Sequence, residues 1–308
     1  MKHGLWLAAG LLCLLLSPAW VQARNYDEVI DSGVLKVALY RDFPPYSWLE
    51  KGQAKGMDVE LAGALATGLG VKLEILWATA GENTGDDLRQ YLWKGSNLNT
   101  TDGSRIKADV MLRIPYDRAY AQQRDDTGHL AHELVHMFGP YHEERWQLAY
   151  NPDKIEDVPT MAVFQYHNIG VEIDSAPQFF LTSAFGGRLR DHTRSYHDIS
   201  QAYAAMTQGE VDAVMGMYSQ IQWLNQRQGG KAVLAQRHYP LFGKQTWELG
   251  MAVKDDYRQL AYALEDIMLE CIRDGRMAAW ASANGFSYQM PPRYLPPEAT
   301  ASAVASGG

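Results

Sequence analysis

Runs of branched apolar residues alternate with helix-forming stretches along most of this chain. That alternation is the pattern of an α/β architecture. Val34-Leu35-Lys36-Val37-Ala38-Leu39 reads as a buried strand. It runs into Asp42-Phe43-Pro44-Pro45-Tyr46-Ser47-Trp48, where two prolines forbid regular structure. Residues 57–69 predict a helix with Leu61, Leu65 and Leu69 on one face, stopped by Gly70. Strands over 71–77 and 108–112 flank a helix over 86–93. The middle predicts a short helix over 125–137, capped by Asp125, Asp126 or Thr127, then strands over 145–150 and 160–164. Helices follow over 177–185 and 200–208, with Gly209 at the second C-cap, and then a strand over 211–215. A strand over 249–253 precedes the clearest helix, 257–273. There Leu260, Leu264, Ile267, Met268, Cys271 and Ile272 form one stripe, and Gly275 ends it.

The two ends are read apart from the fold. Lys2 followed by the apolar run Leu5–Leu16, Pro18 and Val21-Gln22-Ala23 has the form of an export signal, with cleavage expected after Ala23. Gly10-Leu11-Leu12 before Cys13 does not form a lipid-attachment site, so a soluble periplasmic protein is expected. Residues 291–308 are small, polar and proline-rich, which predicts a disordered tail. The full chain carries a net charge of −8, one unit more negative without Lys2. That balance argues against non-specific binding to nucleic acid or an anionic membrane. Loss of Cys13 with the signal leaves Cys271 alone, so no internal disulfide forms and the core must hold the fold. Cys271 is expected to be a small buried hydrophobe.

The order of landmarks resembles the periplasmic solute-binding proteins of the amino-acid-binding class (family 3, type II), which serve ABC importers. "GVLKVALYRDFPPYSW" is similar to that family's first strand and ligand loop, and "KGMDVELAGALATGLGVKLEIL" to the next helix and strand. "ADVML" with "YDRA", "FGPYHEERWQLAYN", "MTQGEVDAVM" and "ELGMAVKDDYRQLAYALEDIMLECIRDGRMAAWASANGF" follow in the family's order. The resemblance implies a two-lobed type II periplasmic-binding-protein fold with two interdomain crossing strands. It puts lobe one at 24–145 and 246–290 and lobe two at 146–245, after a signal over 1–23. It also implies a monomer that binds a small molecule and meets an inner-membrane permease. Some relatives with altered clefts accompany periplasmic quinoprotein alcohol dehydrogenases, and that accessory role is a further reading.

The same resemblance nominates a ligand site. Arg118 falls on the family's carboxylate-binding arginine, whose planar fork suits a carboxylate. Asp42, Phe43, Tyr46 and Trp48 lie in the loop that offers an aromatic platform. Three departures matter. Arg113 replaces a Ser or Thr, Tyr166-His167-Asn168 replaces a Gly-Thr or Gly-Ser, and Met217 replaces the acidic partner of a ligand ammonium. They turn the expectation from an ordinary amino acid toward a carboxylated or otherwise anionic ligand, or toward a cleft with none.

One motif points elsewhere. Residues 129–145 contain His132-Glu133-x-x-His136-x-x-Gly139-x-x-His142, the zinc signature of the metzincin peptidases. On a helix, His132 and His136 share a face beside Glu133 as general base, Gly139 turns the chain, and His142 adds a third nitrogen. "VMGMY" at 214–218 imitates a Met-turn. Phe138, Pro140, Tyr141 and the "VMGMY" run already belong to the solute-binding pattern, so no enzyme and no cofactor are expected. A secreted zinc metallopeptidase stands as the alternative. The stretch between Arg118 and Phe138 is longer than the family's, which leaves room for an inserted metal-bearing helix.

Overall fold

The structure, a computed structural model, describes residues 24–97, 100, 103–237, 239 and 242–296. The expected signal over 1–23 and the tail over 297–308 lie outside the described residues. The first half lays down α1 (Tyr26–Ser32), β1 (Val34–Tyr40), the hairpin β2 (Trp48–Glu50) and β3 (Gln53–Lys55), α2 (Met57–Gly68) and β4 (Lys72–Ala78). Next come α3 (Thr84–Leu88), which widens into a π-helical turn over Arg89–Lys94, then β5 (Val110–Pro115), α4 (Arg118–Ala121) and the long β6 (Val135–Tyr150). The second half holds β7 (Ile169–Glu172), α5 (Ala176–Gly187), β8 (Thr193–Tyr196), α6 (Ile199–Gln208), β9 (Ala213–Met217) and α7 (Tyr218–Arg227). The chain closes with β10 (Val233–Leu234), β11 (Thr246–Lys254), α8 (Arg258–Arg273) and α9 (Arg276–Ala283).

Among the described residues, nine strands form one sheet, ordered β4-β1-β5-β11-β6-β9-β7-β8 with β10 on the flank of β6. β6 carries the sheet from one lobe to the other. Its residues 135–145 pair with β11, and from Trp146 it pairs with β9. The return segment lies beside this crossing, where the Trp146 N–H donates to the Gln245 carbonyl. Each half-sheet is covered on both faces. One lobe packs α2, α8 and α9 on one side and the turn over 89–94 on the other. The α8 stripe is buried at Leu260, Leu264, Met268, Cys271 and Ile272, each worth roughly 1.5–3 kcal/mol for the larger side chains. In the other lobe, α6 and α7 cover one face and α5 the opposite one. Asp198 caps α6 through the Gln201 N–H, and Gly209 closes it in the left-handed conformation.

Three sequence expectations are corrected. Residues 125–137 do not form a helix. Asp125 Oδ1 accepts from the Thr127 and His129 N–H groups and the Thr127 hydroxyl, and Gly128 has φ +86°. Such a side-chain turn competes with the helical backbone. The chain then enters β6 at Val135, opposite Lys254. Residues 161–165 are a 3₁₀ turn, and β7 starts later, at Ile169. Of the expected tail, residues 291–296 are packed: Tyr294 lies against the core and Arg293 pairs with Glu248.

Candidate functional site

The site begins with two interruptions in the sheet. Between β5 and β11, Leu112 pairs with Met251 and Ile114 with Gly250, so Arg113 is left out of the ladder. It takes φ +66°, the left-handed conformation that a β-bulge allows. Between β6 and β11, Phe138 pairs with Met251 and His142 with Leu249. The residues between are bulged, with Gly139 at φ +55° and so close to Met251 that an added Cβ would lie 2.7 Å from its methyl carbon. Both bulges flank Gly250, and beside them the chain gathers its buried charges.

Arg113 is nine-tenths buried. Its guanidinium carbon lies 3.5 Å from the Tyr46 ring centroid and 4.5 Å from that of Phe43, a cation on two aromatic faces. Nη2 points at Met217 Sδ, 3.3 Å away at the end of β9, and Nη1 has no hydrogen-bond partner. Tyr46 reaches this place because Phe43 and Ser47 exchange backbone hydrogen bonds and the Ser47 hydroxyl donates to the Tyr40 carbonyl. Gly56 lets α2 start against that loop, since a Cβ there would meet the Tyr46 carbonyl oxygen at 2.1 Å.

Two carboxylates complete the cluster. Glu144 is fully buried on the crossing strand. Its Oε2 accepts from the Tyr46 hydroxyl at 2.6 Å and the Ser219 hydroxyl at 2.5 Å, and its Oε1 from the Arg145 N–H. Glu144 therefore ties the β1 loop of one lobe to α7 of the other. Asp58, one residue into α2, accepts from the Tyr141 hydroxyl at 2.9 Å. Burial pushes the Asp58 carboxyl up to about 6, opposed by nearby Arg113. His142 lies behind Tyr46, with the Tyr46, Phe286 and Tyr288 rings 5.7–5.8 Å away. Burial, reinforced by Arg113, pushes its imidazole down to about 3. It makes no hydrogen bond of good geometry, although the Gln289 main chain lies alongside.

Of the residues nominated from sequence, Phe43, Tyr46, Arg113 and Met217 come together here. Trp48 is on β2, edge-on to Trp223 of α7 at 6.0 Å. Asp42 and Arg118 are exposed, Arg118 on the first turn of α4. Tyr166 is 82% exposed, His167 pairs with Asp212 at 3.1 Å, and the Asn168 side chain meets His192. These last three precede β7, at its amino end. Ligands in open α/β sheets lie at the carboxyl ends of strands, here Glu172 and the Asp174-Ser175 turn into α5. Sequence reasoning passed over Asp58, Glu144 and Ser219. Glu144 sits in the unbroken polar run His142-Glu143-Glu144-Arg145, which does not reveal which of the two carboxylates is fully buried.

The zinc reading is corrected. His132 is in a turn, its ring tilted 34° against Tyr120 at 4.4 Å and lying against the start of α3. His136 is on β6, parallel to the Phe138 ring at 5.9 Å. His142 is six strand residues further on, roughly 20 Å of extended chain. Glu133 is exposed. Three nitrogens at bonding distance from one ion must lie within about 4 Å of each other. Among the described residues, no group of three metal-ligating side chains is positioned to hold a metal.

Residues 35–85 match the model of the bacterial extracellular solute-binding proteins, family 3. Over that segment the chain is similar to the family. It is 36% identical over 119 residues to the cyclohexadienyl dehydratase of Pseudomonas aeruginosa, covering 36% of this chain and 43% of that enzyme, so the match spans less than half of the relative's length. The fold is that of solved two-lobed type II periplasmic binding proteins. An ancestral cationic amino acid solute-binding protein superposes with a TM-score of 0.63 at 18% identity, over 84% of this chain and 99% of that one. An amino acid ABC transporter substrate-binding protein from Streptococcus pneumoniae, bound to L-arginine, gives 0.58 at 18% identity, over 87% and 100%. Among the described residues, no helix is long and apolar enough to cross a membrane.

Proposed function

We propose that this chain is a periplasmic solute-binding protein that closes two lobes on a small carboxylated solute of amino-acid type and delivers it to an ABC-type importer. The observation that carries this reading is Arg113. A buried guanidinium with one nitrogen unpaired is costly, and a carboxylate at Nη1 relieves that cost with a charge-assisted hydrogen bond. The contact of Nη2 with Met217 supports a position for the arginine between the lobes. Asp58 and Glu144 supply the negative field that Met217 does not. This removes the sequence-based objection to a solute that also carries an ammonium group, and it agrees with the amino acid proteins among the solved relatives.

The reading assigns 24–145 and 246–290 to one lobe and 146–245 to the other, supported by the change of partner along β6. The protein acts as a monomer. A role beside a periplasmic quinoprotein dehydrogenase rests on the sequence resemblance alone. The dehydratase relative supports a second reading, turnover of a carboxylated ring compound, with Asp58 as the proton carrier held near neutrality by burial.

The test is calorimetric titration of the purified protein with amino acids and their 2-oxo and 2-hydroxy counterparts. Arg113→Lys, which keeps the charge and loses the planar fork, is expected to weaken binding roughly 100-fold. A solute that binds both forms equally well would sink the reading. Conversion of a cyclohexadienyl carboxylate, lost in Asp58→Asn, would establish the second reading in its place.

A further inference from the structure

The second lobe meets Arg113 through the start of α7. Met217 is the N-cap of this helix of ten residues, and its side chain makes no cap hydrogen bond. Gln220 is the third residue of the first turn. At that position a Gln or Glu ordinarily reaches back to the N-cap N–H. Here the Gln220 side chain is nine-tenths buried and its Oε1 has no partner at all. Burying an amide oxygen with nothing to accept is costly.

Three observations put Gln220 at the junction between the lobes. Helix residues three apart are neighbours, so Gln220 stands beside Met217, whose sulfur touches Arg113. At about 100° per residue, Gln220 shares its sector of α7 with Trp223 and Arg227. These meet Trp48 and Glu50 of the opposite lobe. Ser219, its other neighbour, donates to Glu144, the acceptor that also holds Tyr46 beneath Arg113. Ile221, one step further round, turns into the core of its own lobe.

We infer that Gln220 is the second recognition residue of the cleft: its amide oxygen accepts a hydrogen bond from an N–H or O–H of the solute whose carboxylate Arg113 holds. The inference rests on the Arg113 reading and adds the substrate class. An uncharged acceptor takes a hydroxyl as well as an ammonium group. The site therefore accepts 2-hydroxy acids alongside 2-amino acids, and it favours either over the same carboxylate with no donor.

The experiment titrates the full-length mature protein with a matched trio: one carboxylic acid carrying 2-amino, 2-hydroxy or 2-hydrogen. Gln220→Met, of similar volume, should lose about tenfold for the first two members and leave the third unchanged. Gln220→Glu, which keeps the shape, should shift preference toward the amino member by tenfold or more. Equal losses across the trio would make Gln220 a packing residue and overturn the inference, as would no change in either variant. Failure of the Arg113 reading looks different: no member of any such trio binds the unaltered protein, or Arg113→Lys binds as well as the parent, and the inference falls with it.

Discussion

The histidine segment and the arginine junction both lie beside bulges flanking Gly250, and the two bulges have opposite results. The bulge in β5 takes Arg113 out of the ladder, where it meets Phe43 and Tyr46 of one loop and Met217 from the other half of the chain. The bulge in β6 lies between His136 and His142, which an extended strand already holds far apart. One is stacked on Phe138 and the other is walled in by Tyr46, Phe286 and Tyr288. A spacing pattern becomes a site only when the backbone carrying it brings its members to one point. The histidine pattern presupposes a helix. Residues 125–135 form a side-chain-bonded turn and the start of a strand, so the pattern disperses.

The sharpest way to break this comparison is to remove the arginine. Arg113→Ala leaves Asp58 and Glu144 buried without the guanidinium whose charge faces both. Stability should fall by about 3–5 kcal/mol in urea denaturation. His136→Ala, the matching deletion in the other region, removes a half-buried ring and should cost about 1 kcal/mol. Comparable losses would mean that the junction is no more central than the strand beside it.

A smaller effect sharpens the contrast within the junction itself. His142 is pushed down to about 3 from an ordinary value of about 6.5. The unfolded chain therefore binds that proton first, and the stability tied to His142 is lost as pH falls below about 6.5. Asp58 is pushed up to about 6 from an ordinary value of about 3.9. The folded chain binds that proton first, so acidification from about 6 to 4 stabilises. Across that window the two contributions cancel. Relative to the parent, Asp58→Asn should lose about 1.4 kcal/mol per pH unit of acidification, and His142→Phe should gain a similar amount. Denaturation midpoints at pH 6, 5 and 4 give the slopes. Parallel slopes for all three proteins would show that neither group is held as its burial implies.

How much of this was legible in the sequence follows from the range of each interaction. The α/β alternation and the α8 stripe are local, because burial imposes period and composition on consecutive residues. The expected strand at 160–164 failed because a short apolar run does not say whether it is strand or turn. The same ambiguity points to Tyr166, His167 and Asn168, which lie ahead of β7 instead of beyond it. The family pattern points first to Arg118, which is exposed, while Arg113, nominated as a departure from that pattern, is the arginine at the junction. Its orientation depends on register with Met251 and Gly250, which lie far later in the chain. Glu144 and Ser219 were silent for the same reason: their hydrogen bond joins a crossing strand to a helix of the other lobe.

Zinc content tests the dispersal of the histidines directly. Protein purified without an affinity tag should carry only substoichiometric zinc by elemental analysis, and the His132→Ala/His136→Ala pair should carry the same amount. His142 is fully buried among aromatic rings, so an ion there would have to displace Tyr46 or Tyr288 before it met a nitrogen. His132 and His136 lie on a turn and on a strand, which lack the shared helical face that bidentate capture requires. Stoichiometric zinc lost in the double variant would require this segment to refold as a helix around the metal. That refolding would break the pairing of Val135–Phe138 with Met251–Lys254, visible as altered hydrogen exchange in β11. Zinc retained with β11 still protected would place the ion elsewhere and leave the histidines dispersed.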